Sequence, residues 1–302
     1  MNDEQRMKNL AVPLGKQDVV IDTDTYNEID DQFAVSYLLK STEKLSTKAI
    51  YAAPFLNERS VSPADGMQKS YDEILKLLDL AGEQQDVFRG SEQFLVDEKT
   101  PVVSAATRDL AQRAGQYSPE NPLYVVAIGA ITNVASAILL NPAVAENTVV
   151  VWLGGHAFHY HDTMEFNMQQ DIAAARVVMQ SGVPFVLLPC QGVVSSFLVS
   201  GPELQFWFRG KNALADYLAQ NAIDAAESYA KGRAWTRCIW DVTAVAWLLN
   251  DGDRFMKSRI VPTPVPTYDH YYAVNHNGLP MRYVYHIERD ALFHDLIEKI
   301  TK

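Results

Sequence analysis

Four aspartates crowd one short stretch, Val19-Val-Ile-Asp-Thr-Asp-Thr-Tyr-Asn-Glu-Ile-Asp-Asp31, at positions 22, 24, 30 and 31. Like charges this close repel unless something positive neutralises them, and carboxylate oxygens are the ligands that hard cations such as Ca²⁺ or Mg²⁺ prefer. The chemistry this predicts is metal-assisted. The bland alternative is that the acids face solvent and favour the start of the following helix, where negative charge gains roughly 0.3 to 1 kcal/mol per residue. Further along, His156, His159 and His161 stand at i, i+3 and i+5, which admits a transition-metal site, although no cysteine or carboxylate completes a familiar ligand spacing.

The elements that position these residues follow from periodicity. Asp18 to Asp22 reads as a β-branched strand, and Ile29 to Lys40 as a helix behind an acidic loop. Ser62-Pro63-Ala64-Asp65 carries a capping hydroxyl, a proline at the first helical position and a carboxylate three after the cap. A helix from there to Gly82 is the expectation. Strands over 123–128, 148–153 and 185–188 alternate with helices over 132–140 and 171–180, the pattern of βαβ units. Residues 202–250 read as mainly helical, with short strands around Tyr271 and Tyr283 and a last helix from Asp290. The predicted fold is α/β, a mainly parallel central sheet flanked by helices with a Rossmann-like core, and a helical segment over the C-terminal edge of the strands. Neither repeats nor linkers break the chain, so residues 1–302 are read as one domain. An open sheet of this kind binds ligands at the carboxyl ends of its strands, which is where the acidic loop falls.

Composition narrows the function. Lys plus Arg number 26 against 37 Asp plus Glu, a net charge of −11, so a nucleic-acid surface would have to be built against the overall field. Apolar residues at 48% and charged residues at 21% are those of a globular chain, not a disordered one. No apolar run is long enough for a membrane span, and the start, MNDEQRMKNLAVPLGKQ, lacks the apolar stretch of a signal peptide. Two cysteines, Cys190 and Cys238, show no disulfide or zinc spacing and are expected to be reduced core residues of a cytoplasmic protein.

Asp22-Thr23-Asp24-Thr25 after an apolar strand resembles the first motif of haloacid dehalogenase-like phosphatases, which would make Asp22 a nucleophile with Mg²⁺ as cofactor. A second resemblance spans more of the chain. The acidic loop is similar to the Asp-x-Asp…Asp-Asp signature of the calcium-dependent nucleoside hydrolases. Ala127-Ile-Gly-Ala-Ile-Thr-Asn133, Glu165-Phe166-Asn167 and Trp240-Asp241 follow in that family's order. The resemblance implies cleavage of a ribonucleoside into ribose and free base with one Ca²⁺ held by Asp24, Asp31, Asp241 and the carbonyl of Ile128. It makes Asp24 the base that takes a proton from the attacking water, as an oxocarbenium-like transition state requires. Asp30 would accept the 2′-hydroxyl, Glu165 and Asn167 would hold the other hydroxyls, and Asn57 would lie near the ribose. A homodimer or homotetramer is also implied, and the aromatics of 202–235 would suit its interface.

Three departures from the family pattern stand out. Five residues, Thr25 to Ile29, separate the two acidic pairs where members usually have three, so the loop must bulge, and Asn27 or Glu28 then gains access to substrate or metal. Trp240 replaces the histidine with which many members protonate the leaving base; the purine-preferring branch has tryptophan there, and stacking on a base is worth roughly 1 to 3 kcal/mol. His159 falls nearest the slot of an asparagine that binds the 5′-hydroxyl, and it is a candidate for the missing acid. Tyr229 and Trp235 are candidates for a cover over the pocket. A relative that keeps the pocket but has lost turnover is the reading from a different class.

Overall fold

Residues 1–302 are described by a computed structural model. In chain order the strands are β1 (Gln17–Thr23), β2 (Leu45–Ala52), β3 (Val87–Arg89), β4 (Leu123–Ala127), β5 (Thr148–Leu153) and β6 (Phe185–Leu188). They are followed by β7 (Leu198–Ser200), β8 (Thr236–Cys238), β9 (Met256–Pro262), β10 (Val265–Pro266), β11 (Tyr272–Ala273) and β12 (Pro280–Ile287). Eight of them form one sheet in the order β3-β2-β1-β4-β5-β6-β12-β9. Every pairing is parallel except β12 with β9, so the sheet is mainly parallel, as the alternating pattern predicts. The strand order reverses between β1 and β4. At such a switch point the connections leave in opposite directions and a crevice opens at the carboxyl ends of the two strands.

Parallel strands covered on both faces are buried throughout, and β4, β5 and β6 are apolar β-rich runs with no exposed residue. One face is packed by helices Asp30–Leu39, Pro63–Ala81, Ala213–Ala230, Val242–Leu248 and Arg289–Thr301, the other by Ala105–Arg113, Thr132–Leu140 and Ile172–Gln180. Helix Pro63–Ala81 starts where its caps require: the Ser62 hydroxyl accepts from the Asp65 amide at 3.1 Å, and Gly82 closes the other end at φ 67°. All ten residues of helix Asp30–Leu39 are buried because it lies between the sheet and the outer helices.

The segment 202–250 departs from a continuous helical reading. Helices Gly201–Trp207, Ala213–Ala230 and Val242–Leu248 are interrupted by β8, which pairs antiparallel with β7. The C-terminal strand-like run around Tyr283 is the full strand β12, inserted beside β6 and paired with β9, a strand that the three nearby prolines conceal in the sequence. No helix is long and apolar enough to cross a membrane.

Candidate active site

β1 ends in Asp22 and Thr23, with Asp24 directly after it, all buried, and the loop it feeds returns at Asp30 and Asp31, the first two residues of helix Asp30–Leu39. β4 delivers Ile128 and Gly129 beside them, because β1 and β4 are neighbours. Gly129 fits closely there: a Cβ at this position would stand 3.0 Å from the Asp24 carboxylate, so the carboxylate would have to shift to admit it. Asp241 arrives from the far side of the chain, immediately before helix Val242–Leu248. Asp30, Asp31 and Asp241 bring carboxylate oxygens within 4.8 Å of one another. Asp24 lies outside that trio but within its field, and both its oxygens are buried without a hydrogen-bond partner. The Thr23 hydroxyl donates to Asp31 Oδ1 at 2.6 Å.

Burial drives the carboxyl groups of Asp24, Asp31 and Asp241 well above the ordinary aspartate range, and the charges of their neighbours add to it. Asp30 is pushed up to about 6 by burial and then by the charge of Glu28. A cluster of acids that resists ionisation, with two orphaned oxygens on Asp24, is the donor set a divalent cation satisfies: hard oxygen ligands from separate loops, and charge to neutralise. The residues present therefore fit a metal.

Above the aspartates is a cavity of about 320 Å³, within the range of small-molecule sites, lined by Asn27, Glu28, Asp30, Ile128, His156, Glu165, Asn167, Cys190, Trp240 and Asp241 among others. Glu165 caps helix Phe166–Gln170 and also reaches across to β5: its oxygens accept from the amides of Asn167, Met168 and Gly155 at 2.8 to 3.0 Å. Burial outweighs those three donors and pushes the Glu165 carboxyl up to about 7. Asn167 gives its Nδ2 to the carbonyls of Ile128 (3.2 Å) and Leu153 (3.0 Å), which fixes the amide and leaves Oδ1 as a free acceptor.

The structure brings most of the sequence-derived set together and moves some members. Asp30, Ile128, Glu165, Asn167, Trp240 and Asp241 line the cavity, Asp31 lies buried with Asp30 and Asp241 in the carboxylate trio, and Asp24 is buried within the field of that trio. Asn57 is one step removed, donating to Asn27 Oδ1 at 2.6 Å. His159 is exposed, and the histidine on the cavity wall is His156, whose Nδ1 accepts from the Gln191 amide at 3.4 Å; burial holds its pKa below the ordinary value. The three histidines do not gather into a ligand set. Cys190, expected in the core, lines the cavity instead because β6 ends there; both thiols are free. Tyr229 is exposed at the end of its helix, while Trp235 packs over Gly201.

Asp22 does not face the cavity. One of its oxygens accepts from Asn133 Nδ2 at 2.7 Å, a bond that ties the side chain to the strand ends, whereas neither Asp24 oxygen has a partner. Asn133 also donates to the Ala52 carbonyl and accepts from the Ser91 amide and hydroxyl, tying β1, β2 and the loop after β3 into one unit. Thr132 and the Leu95 amide both donate to Asp171. The Thr-Asn pair, one of the segments that carry the family resemblance, holds the strand ends in place.

Residues 19–288 match the family model described as inosine-uridine preferring nucleoside hydrolase. A probable uridine nucleosidase 2 from Arabidopsis thaliana is 24% identical over 227 residues, 68% of each chain. Among solved structures, a plant nucleoside hydrolase superposes with TM-score 0.74 at 20% identity, covering 94% of this chain and 99% of that one. A purine-preferring ribonucleoside hydrolase from Gardnerella vaginalis gives TM-score 0.74 at 19% identity, with 94% and 98% covered.

Proposed function

The chain belongs to the inosine-uridine preferring nucleoside hydrolase family, and from that premise we propose that it hydrolyses purine ribonucleosides to ribose and free base in the cavity between β1 and β4. The observation that carries the reading is the pairing of a buried, unpartnered Asp24 with the aspartate trio under a cavity of nucleoside size.

Asp24, Asp31, Asp241 and the Ile128 carbonyl would hold Ca²⁺, which supplies Lewis acidity toward water and a charged anchor for sugar hydroxyls. Asp24 takes the proton of the attacking water: both its oxygens are buried without a hydrogen-bond partner, and a cation held beside it would keep it ionised and so able to accept that proton. Asp30 accepts the 2′-hydroxyl from the cavity wall. Asn167 turns its free Oδ1 to the sugar, and because an amide oxygen carries partial negative charge it also opposes the positive charge that develops as the glycosidic bond breaks. Glu165 orders Gly155 and the 166–170 helix around the remaining hydroxyls. Asn57 acts through Asn27. Trp240, on the wall beside Asp241, offers its ring to a purine.

The chain acts as one domain in this reading, since one sheet takes strands from both ends, β1 and β12. A homodimer or homotetramer is supported by the exposed Phe206, Trp207 and Tyr229, and a cytoplasmic location by two unpaired cysteines. The test is release of free base and reducing sugar from inosine, guanosine, adenosine, uridine and cytidine, with calcium and again after chelation. Chelator-sensitive turnover with purines ahead is the expected result. Turnover that survives chelation overturns the metal assignment, pyrimidines ahead overturn the role of Trp240, and nucleoside binding without products returns the chain to a binding relative.

A further inference from the structure

The longer loop between the acidic pairs is braced on several sides. Arg59 donates to the Glu28 carbonyl at 3.2 Å, Asn57 donates to Asn27, and Arg237 on β8 pairs with the Glu28 carboxylate. Only Oε2 of Glu28 is taken by Arg237 Nη2, so Oε1 is left for a ligand, and the side chain lines the cavity together with Asp30 and Trp240. Glu28 is a further carboxylate on a wall that already holds Asp30, Glu165 and Asp241; the Arg237 guanidinium offsets its charge through one oxygen and leaves the other unused.

We propose that Glu28 selects the base: its carboxylate accepts the ring N–H of a lactam edge, the edge shared by hypoxanthine, guanine and uracil, and Arg237 is the positioning residue that aims it. This rests on the nucleoside-hydrolase reading of the cavity, in which Asp30 faces the 2′-hydroxyl, next to the carbon that bears the base. Glu28 stands two residues before Asp30 in the sequence, and both line the cavity with Trp240. A carboxylate paired with a guanidinium is an acceptor only. A lactam presents a donor at its ring nitrogen, whereas adenine N1 and cytosine N3 present a lone pair, which would lie against the carboxylate. The loss is then that of a charged hydrogen bond, made worse by the facing of two lone pairs.

The test compares two uncleavable analogues whose base is joined to ribose through carbon, one inosine-like and one adenosine-like, by titration calorimetry on the full chain with calcium. The native protein is expected to bind the inosine-like analogue at least about tenfold more tightly. Glu28→Gln should bring the ratio near one, and Arg237→Met should move it in the same direction. Equal binding by the native protein, no binding of either analogue, or a ratio that survives Glu28→Gln overturns the assignment. Parallel assays with inosine and adenosine separate the two claims: a Glu28-dependent binding ratio without hydrolysis sinks the hydrolase reading alone, and hydrolysis without the ratio sinks the role of Glu28 alone.

Discussion

Asp24 is the residue on which chemistry and stability pull in opposite directions. A buried carboxylate with neither oxygen partnered costs the metal-free fold, yet it is the group placed to take a proton from water. Asp24→Asn keeps the shape and removes the charge. The expected result is a fall in kcat of about 10²- to 10⁴-fold, the usual contribution of a general base, with a melting temperature in chelator equal to or above that of the native protein. Undiminished turnover would move the proton transfer to another group. Such a residue is legible in sequence because crowded aspartates after an apolar strand are conspicuous, and the same holds for Asp30, Asp31, Glu165, Asn167 and Asp241. Glu28, Asn27, His156 and Cys190 are harder to see. Each reaches the cavity only through the path its loop takes after a strand, and loop paths follow from packing rather than from local pattern. The three-histidine run shows the limit: position along the chain favours His159, while the backbone after Gly155 brings His156 to the wall.

At the scale of elements, the site depends on the strand ends of β1 and β4 staying level, and Asn133 is the clamp that does this. Its amide donates to Asp22 and Ala52 and accepts from Ser91 twice, all in buried surroundings. Asn133→Ala removes four bonds and strips Asp22 of its only side-chain partner, so the protein should lose about 3 kcal/mol, read as a lower denaturant midpoint with unchanged slope. A loss within about 0.5 kcal/mol, the range of ordinary surface changes, would mean that packing alone aligns the strands. Elements themselves were legible wherever one rule dominated. The capped helix Pro63–Ala81 and the apolar strands β4, β5 and β6 appear at or within a residue of their expected bounds. Helix Asp30–Leu39 shows no apolar stripe because it has no solvent face. β9 and β12 hold each other in an antiparallel pair and gain their strand character from that long-range contact, so residues 256–262 give no local sign of it.

For the molecule as a whole, burying this many acids in one place links stability to both pH and metal. The net charge is −11, and six carboxyl groups at or near the crevice have folded values above their ordinary ones: Asp22 and Glu165 at about 7, Asp30 at about 6, and Asp24, Asp31 and Asp241 well above the usual aspartate range. An acid that holds its proton more tightly when folded binds more protons in the native state than in the unfolded chain. Its contribution is complete below about pH 4 and is lost as pH rises through the folded value. The chelated protein should therefore melt at progressively lower temperature between pH 5 and pH 8. Calcium reverses the balance for its ligands, since a cation favours the ionised form, and at a hundred times its dissociation constant it adds about 2.7 kcal/mol, equivalent to several degrees in a chain of this size. Because the ligands must give up protons to bind, affinity rises with pH and the calcium-induced shift should be larger at pH 8 than at pH 5. Thermal melts at pH 5, 6.5 and 8, each with chelator and with calcium, check both slopes. A chelated melting temperature independent of pH would mean that the carboxyl groups are already neutralised by something other than protons, and a calcium shift greatest at pH 5 would place the ion away from the aspartates.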